Sequence, residues 1–208
     1  MKVAVIGGTG AIGKALARHL SREYEVIIGS RDPSRAVEAA AAIRGASGSD
    51  YEGASRASDV VIFAIPYEAM DLLANLDAAV SSKLVISAIN PMKMEDGLFR
   101  YAPRRASAAE ELADMLPHGR VATAFNNVPS GFLKEDAVPP VDILVAADSK
   151  ETYAEAAKLI ASIREMRPLN AGPLSEARIV EAMTPLVLNL AKLNGTKALA
   201  TRFVSRKG

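Results

Sequence analysis

The sequence predicts an α/β fold: a doubly wound parallel sheet with a small C-terminal α/β extension. Three observations carry this expectation. Short apolar runs alternate with helical segments through the first half of the chain. A G-x-G-x-x-G run, Gly8-Thr9-Gly10-Ala11-Ile12-Gly13, closes the first apolar run and opens the first helix. Half of the 208 residues are hydrophobic while only 5% are aromatic, so Ala, Val, Ile and Leu must build the interior. Such side chains suit helices packed closely on parallel strands.

The elements follow in order. Residues 2–6 are a short apolar run bounded by glycine, which reads as a buried parallel strand. Ile12, Leu16 and Leu20 then mark one stripe of a helix. Residues 25–28 form the next strand, closed by Gly29, and 36–43 are helical. Residues 44–58 should hold another strand, blurred by Gly45, Gly48 and Gly53. A strand at 60–65 stops at Pro66, a helix spans 67–80, and a strand at 84–89 stops before Pro91. Residues 91–105 read as an irregular loop carrying Lys93, Arg100, Arg104 and Arg105. Ser107 with Glu110 makes a capping box for a helix over 107–116. Strands at 121–125 and 141–147 flank the turn Pro129-Ser130-Gly131. A helix covers 153–163. Residues 173–194 form a long helix, apolar almost all round and therefore expected to be buried, with a kink at Pro185. The sheet-building region ends near residue 130. This gives a dinucleotide-binding domain over 1–130 and a small C-terminal domain or lid over 131–208.

Composition excludes several functions. Lys and Arg number 25 against 24 Asp and Glu, a net charge of +1, whereas nucleic-acid binding demands a basic excess. With no cysteine there is no disulfide framework, thiolate metal site or cysteine nucleophile. Val3 to Ile6 is too short for a signal-peptide core, and no run of about 20 apolar residues is present. The expectation is a soluble cytoplasmic protein.

The glycine run carries specific physics. Gly8 permits the tight turn, Gly10 lets the backbone approach a pyrophosphate, and Gly13 lets the helix sit close to the strand. The helix N-terminus then offers free N–H groups and a positive dipole end to phosphates. In this Rossmann-type setting an Asp or Glu at the end of the second strand would favour NAD. The chain instead reads Gly29-Ser30-Arg31-Asp32. Arg31 attracts a 2′-phosphate, Ser30 adds a hydroxyl, and Arg35 adds a second cation one helical turn on. NADP is therefore the expected dinucleotide. The alternative is a solvated basic loop paired with Asp32.

The chain also resembles the NADPH-dependent reductases of coenzyme F420, the F420-dependent NADP oxidoreductases. The resemblance lies in Gly7-Gly8-Thr9-Gly10, Ile28-Gly29-Ser30-Arg31, Ile65-Pro66-Tyr67-Glu68 and Ser107-Ala108-Ala109-Glu110. More specific are Arg167-Pro168-Leu169, Ala171-Gly172-Pro173-Leu174, Thr184-Pro185-Leu186 and Leu188-Asn189. It implies hydride exchange between NADP and a deazaflavin. By match of motif, Thr9 to Ile12 would line the pyrophosphate and Ser30, Arg31 and Arg35 would hold the 2′-phosphate. Ile65, Pro66, Ala69, Asn90 and Ser130 would follow the path from adenosine to nicotinamide. Val128 and Leu199 would pack near the deazaflavin ring. Asn126-Asn127 and Ala69 stand where some members carry histidine.

Hydride transfer between two such rings needs positioning rather than a side-chain acid or base, and positioning supplies about 7–11 kcal/mol of a barrier. No catalytic side chain and no metal site is expected. His19 and His118 read as solvated surface residues. The basic residues of 91–105 either steer an anionic deazaflavin tail or form a solvated loop. Rival readings are an NADPH-dependent reductase of another acceptor (flavin, ferric chelate or imine) and a non-catalytic NADP-sensing module. The expected partners are small molecules, with neither nucleic acid nor membrane, and the apolar C-terminal helix is compatible with a homodimer.

Overall fold

In the computed structural model, which describes residues 1–133 and 138–204, the first strand, β1 (Lys2–Ile6), shows how a short apolar run is used. Val3 and Val5 enter one hydrophobic core, Ala4 and Ile6 the other. All four are fully buried. A strand covered by helices on both faces has no polar side to present. Next come β2 (Glu25–Gly29), β3 (Ala46–Ser49), β4 (Val60–Phe63) and β5 (Leu84–Ser87). β4 repeats the division, with Val60 and Ile62 on one side and Val61 and Phe63 on the other.

A separate hairpin, β6 (Met92–Glu95) and β7 (Leu98–Tyr101), precedes β8 (Arg120–Thr123), β9 (Val141–Ala147) and β10 (Met166–Gly172). The main sheet has eight strands in the order β3-β2-β1-β4-β5-β8-β9-β10. The first six of that order are mutually parallel. β9 meets β8 antiparallel over Ala122–Ala147 and Thr123–Ala146, and β10 runs parallel to β9. The expected doubly wound, mostly parallel sheet is therefore present, and residues 141–172 extend its edge.

The helices are α1 (Ala11–Leu20), α2 (Pro33–Ala41), α3 (Tyr51–Arg56), α4 (Asp77–Val80), α5 (Ala108–Met115), α6 (Ser130–Leu133), α7 (Lys150–Ala161) and α8 (Ala177–Leu193). Leu16 of α1, Ala36 of α2 and Leu159 of α7 cover one face of the sheet. Ala54 of α3, Leu112 of α5 and Ala177 of α8 cover the other. Each fully buried aliphatic side chain of this kind contributes about 1.5–3 kcal/mol. Caps set the helix starts: Asp32, Asp50, Ser107 and Ser149 each accept a first-turn N–H, which is worth about 1 kcal/mol apiece. Ser107 caps α5 as the sequence predicts, but the reciprocal half of the box differs: Glu110 accepts from the Ser107 hydroxyl at 2.6 Å rather than from its backbone N–H.

Several local expectations are corrected. Residues 91–105 are not an irregular loop but contain the β6–β7 hairpin. Residues 67–80 are largely 3-10 helix, over Tyr67–Leu76. His19 is not a surface residue: it is 3% exposed, with Nε2 2.9 Å from the carbonyl of Leu133. His118 is at the surface, with Nδ1 2.6 Å from Asp77. The long helix is only half buried, because Ile179, Leu186, Leu190 and Leu193 stay exposed. Its sequence is apolar on the outer side as well, so burial of the inner side leaves this stripe uncovered. Among the described residues, no helix is long and apolar enough to cross a membrane.

Candidate functional site

The glycine loop lies at the carboxyl end of β1, where a doubly wound sheet places its ligands. Its tight turn uses Gly7 together with Gly8, where a Cβ would lie 2.9 Å from the carbonyl oxygen of Val5. Gly7 has φ +86°, and a Cβ there would come 2.4 Å from the carbonyl oxygen of Ala64. Gly13 is excluded from carrying a side chain for a different reason: its Cβ would lie 2.4 Å from the carbonyl oxygen of Gly7. α1 is thereby held against the strand end, with Gly10 as its N-cap. Gly10 and Ala11 are exposed at the helix mouth.

Three adjoining hollows follow the carboxyl edge of the sheet. The first, of about 550 Å³, is lined by Thr9, Ser30, Arg31, Arg35 and Tyr51. Among the described residues neither arginine has an ion-pair partner. Asp32 does not pair with Arg31; its carboxylate accepts from the N–H of Ser34 at 2.9 Å, capping α2. The Tyr51 hydroxyl is held above its ordinary range by burial, an effect partly offset by Arg31. A concave site with two free guanidinium groups fits a phosphate monoester.

The second hollow, a cleft of about 410 Å³, shares Gly10, Ala64, Ile65 and Pro66 with the first. Asn90, Val128, Ser130, Thr184 and Val187 help to close it. No described residue lining it is ionisable. Phe125, with φ +67°, turns the chain sharply after β8. Such backbone costs a bulky residue about 1–3 kcal/mol. The turn leads Asn126, Asn127 and Val128 into the cleft wall.

The third hollow, of about 240 Å³, shares Pro129, Val187 and Leu188 with the cleft and contains Leu199. The segment bearing Leu199 is pinned alongside β9. Asn127 Nδ2 donates to the Asp142 carbonyl and to Thr201 Oγ1, each at 2.6 Å. Arg167 grips the buried Asp142 carboxylate at 2.7 and 2.8 Å, which holds that carboxyl below its ordinary range.

Most of the residues singled out in the sequence thus line one continuous trough. Ala69 does not; it packs against the second core. Gly8 and Gly13 shape the loop from behind. Among the basic residues of 93–105, Arg104 pairs with Asp71 and Glu111, Arg105 with Asp114, and Lys93 with Glu95. Sequence reasoning missed Tyr51 and Thr184 as lining residues. Tyr51 had no signal of its own. Thr184 stands beside the helix proline, which was a signal for attention.

Comparison with known proteins gives a consistent result. Residues 2–91 match the family described as NADP oxidoreductase, coenzyme F420-dependent. The chain is 38% identical to the F420-dependent NADP reductase of Methanothermobacter thermautotrophicus, over 99% of this chain and 95% of that protein. It is 34% identical to the enzyme of the same name from Methanocaldococcus jannaschii, over 91% of this chain and 92% of that one. A solved structure from an Arthrobacter species, assigned as an F420-dependent NADP reductase, superposes with a TM-score of 0.86 over 99% of this chain and all of that one. At 21% identity that likeness speaks for the fold alone.

Proposed function

The chain belongs to the family of F420-dependent NADP reductases, and from that premise we propose that it exchanges a hydride between NADP(H) and coenzyme F420, directly from ring to ring. The observation that carries the proposal is the continuous trough, which, among the described residues, runs from two unpaired guanidinium groups past a glycine loop into a cleft without ionisable lining.

The residues fit the two substrates. Arg31 and Arg35 would neutralise a 2′-phosphate, with Ser30 and Tyr51 beside them. The start of α1 would receive the pyrophosphate on free N–H groups. Ile65, Pro66 and Asn90 continue the path toward the nicotinamide. Val128, Val187 and, beyond them, Leu199 offer apolar surface to the deazaflavin, so residues after 130 complete this end of the trough. When bound, the two rings supply the hydride donor and acceptor carbons themselves. The protein's part is to hold them in contact and exclude water, the kind of positioning worth about 7–11 kcal/mol. Hydride addition leaves the reduced deazaflavin ring anionic and that ring takes its proton from solvent, so no side chain need supply one.

The test is to mix the protein anaerobically with NADPH and oxidised F420 and follow the visible band of the deazaflavin. Bleaching at catalytic protein concentration is expected. Tight NADPH binding with no bleaching would contradict the proposal.

A further inference from the structure

We infer that Thr184 and Asn126 are positioning residues that fix the amide of Asn90 so that its nitrogen donates to a carbonyl oxygen on a ring bound in the cleft. The inference rests on the NADP and F420 reading and deepens it.

The orientation follows from donor and acceptor accounting. The carbonyl of Ile89 can only accept, so the Asn126 atom 3.0 Å from it is the amide nitrogen Nδ2. The other end of that amide agrees: Asn126 Oδ1 accepts from the Thr123 hydroxyl at 2.9 Å. The same Nδ2 lies 3.2 Å from Asn90, which must therefore turn its oxygen toward Asn126. Thr184 Oγ1 closes the other side, 2.7 Å from Asn90 Oδ1 and 2.5 Å from the carbonyl of Asn126. Its single hydrogen faces two acceptors. Asn90 Oδ1 thus accepts from Asn126 Nδ2 and shares the Thr184 hydrogen with the Asn126 carbonyl, and its orientation is tied through Asn126 to a backbone carbonyl.

What remains is the Asn90 nitrogen. It carries two N–H donors and accepts nothing. Among the described residues it has no protein partner, while Asn90 lines the cleft and is half-buried. A donor of this kind, in a cleft with no ionisable side chain among the described residues lining it, selects a neutral acceptor. Both expected rings carry carbonyl oxygens, and the nicotinamide carboxamide is the nearer along the trough, because Ala64 and Ile65 join the cleft to the arginine hollow. Thr184 comes from α8, so the orientation of a group at the end of β5 depends on that helix being in place.

The test compares wild type with Thr184→Val, Thr184→Ser and Asn90→Ala. Calorimetry measures binding of NADPH and of 2′-phospho-ADP-ribose, which lacks the nicotinamide. Steady-state assays give KM and kcat for F420. Removing one buried, ordered hydrogen bond corresponds to about a tenfold loss. Thr184→Val and Asn90→Ala should each lose that factor for NADPH and nothing for 2′-phospho-ADP-ribose, with Thr184→Ser close to wild type. The same pattern in the KM for F420, with NADPH binding intact, supports the inference and assigns the carbonyl to the deazaflavin. Thr184→Val equal to wild type in both measurements, or Thr184→Ser as impaired as Thr184→Val, overturns it. Failure of the wild type to bind 2′-phospho-ADP-ribose removes the NADP reading itself, and the inference with it.

Discussion

In the proposed function Arg31 is the residue that would separate NADP from NAD. Its guanidinium is exposed and lacks a carboxylate partner among the described residues, and the adjacent Asp32 is spent on capping α2. Losing charge-assisted bonds to a phosphate corresponds to about 10- to 100-fold in affinity. Arg31→Ala should lose that much for NADPH and little for NADH, measured by fluorescence titration; equal losses would contradict the assignment. This part of the site was legible because Gly8 to Gly13 and Ser30 to Arg35 are contiguous stretches whose chemistry is local. Tyr51 and Thr184 were not, because only the fold brings residues from α3 and α8 to those stretches. His19 was misread for a related reason. It stands between basic residues along the chain, yet the helix face it occupies packs beneath the Leu133 carbonyl.

Elements explain the larger misses. β10 contains Pro168, and proline argues against a strand interior. It is tolerated because β10 is the edge of the sheet and pairs only with β9. β3 looked weak because of Gly48, but a Cβ there would lie 2.3 Å from the backbone of Ala36 and Val37, so the glycine is what lets α2 cross. The β6–β7 hairpin stands apart from the main sheet and is held by α8. Asn189 bonds both the N–H and the carbonyl of Phe99, and Lys192 donates to the Gly97 carbonyl. Glu181 is the third tie: fully buried, it accepts from Tyr101 and from the N–H groups of Ala108 and Ala109 at the start of α5. Burial outweighs those bonds and pushes its carboxyl up to about 7. The folded state therefore holds this proton more tightly than the unfolded chain. The stabilisation is complete below the ordinary carboxyl range and is lost as pH rises through about 7. Thermal melts from pH 4.5 to 8 should show that fall, and Glu181→Gln should flatten it. An unchanged slope in the variant would exclude Glu181 as its source.

For the molecule as a whole, the exposed stripe of Ile179, Leu186, Leu190 and Leu193 recurs at helical spacing along α8. We propose that a second copy of the chain covers it, since one self-complementary helix face serves both members of a two-fold pair. Sedimentation should then give a dimer for the wild type and a monomer for Leu190→Glu, whereas a wild-type monomer at tens of micromolar would contradict the pairing. The trough itself spans the full carboxyl edge, from α2 to the segment after α8. Its cleft has no ionisable side chain among the described residues lining it, and the claim of direct ring-to-ring transfer rests there. The most direct measurement is a single turnover with NADPH deuterated at the transferring carbon, in ordinary water, with mass analysis of the reduced deazaflavin. Direct transfer predicts that the label is carried into the product and that unlabelled NADPH in heavy water leaves the same carbon without deuterium. Label lost to solvent in the first experiment, or gained from it in the second, would contradict the account.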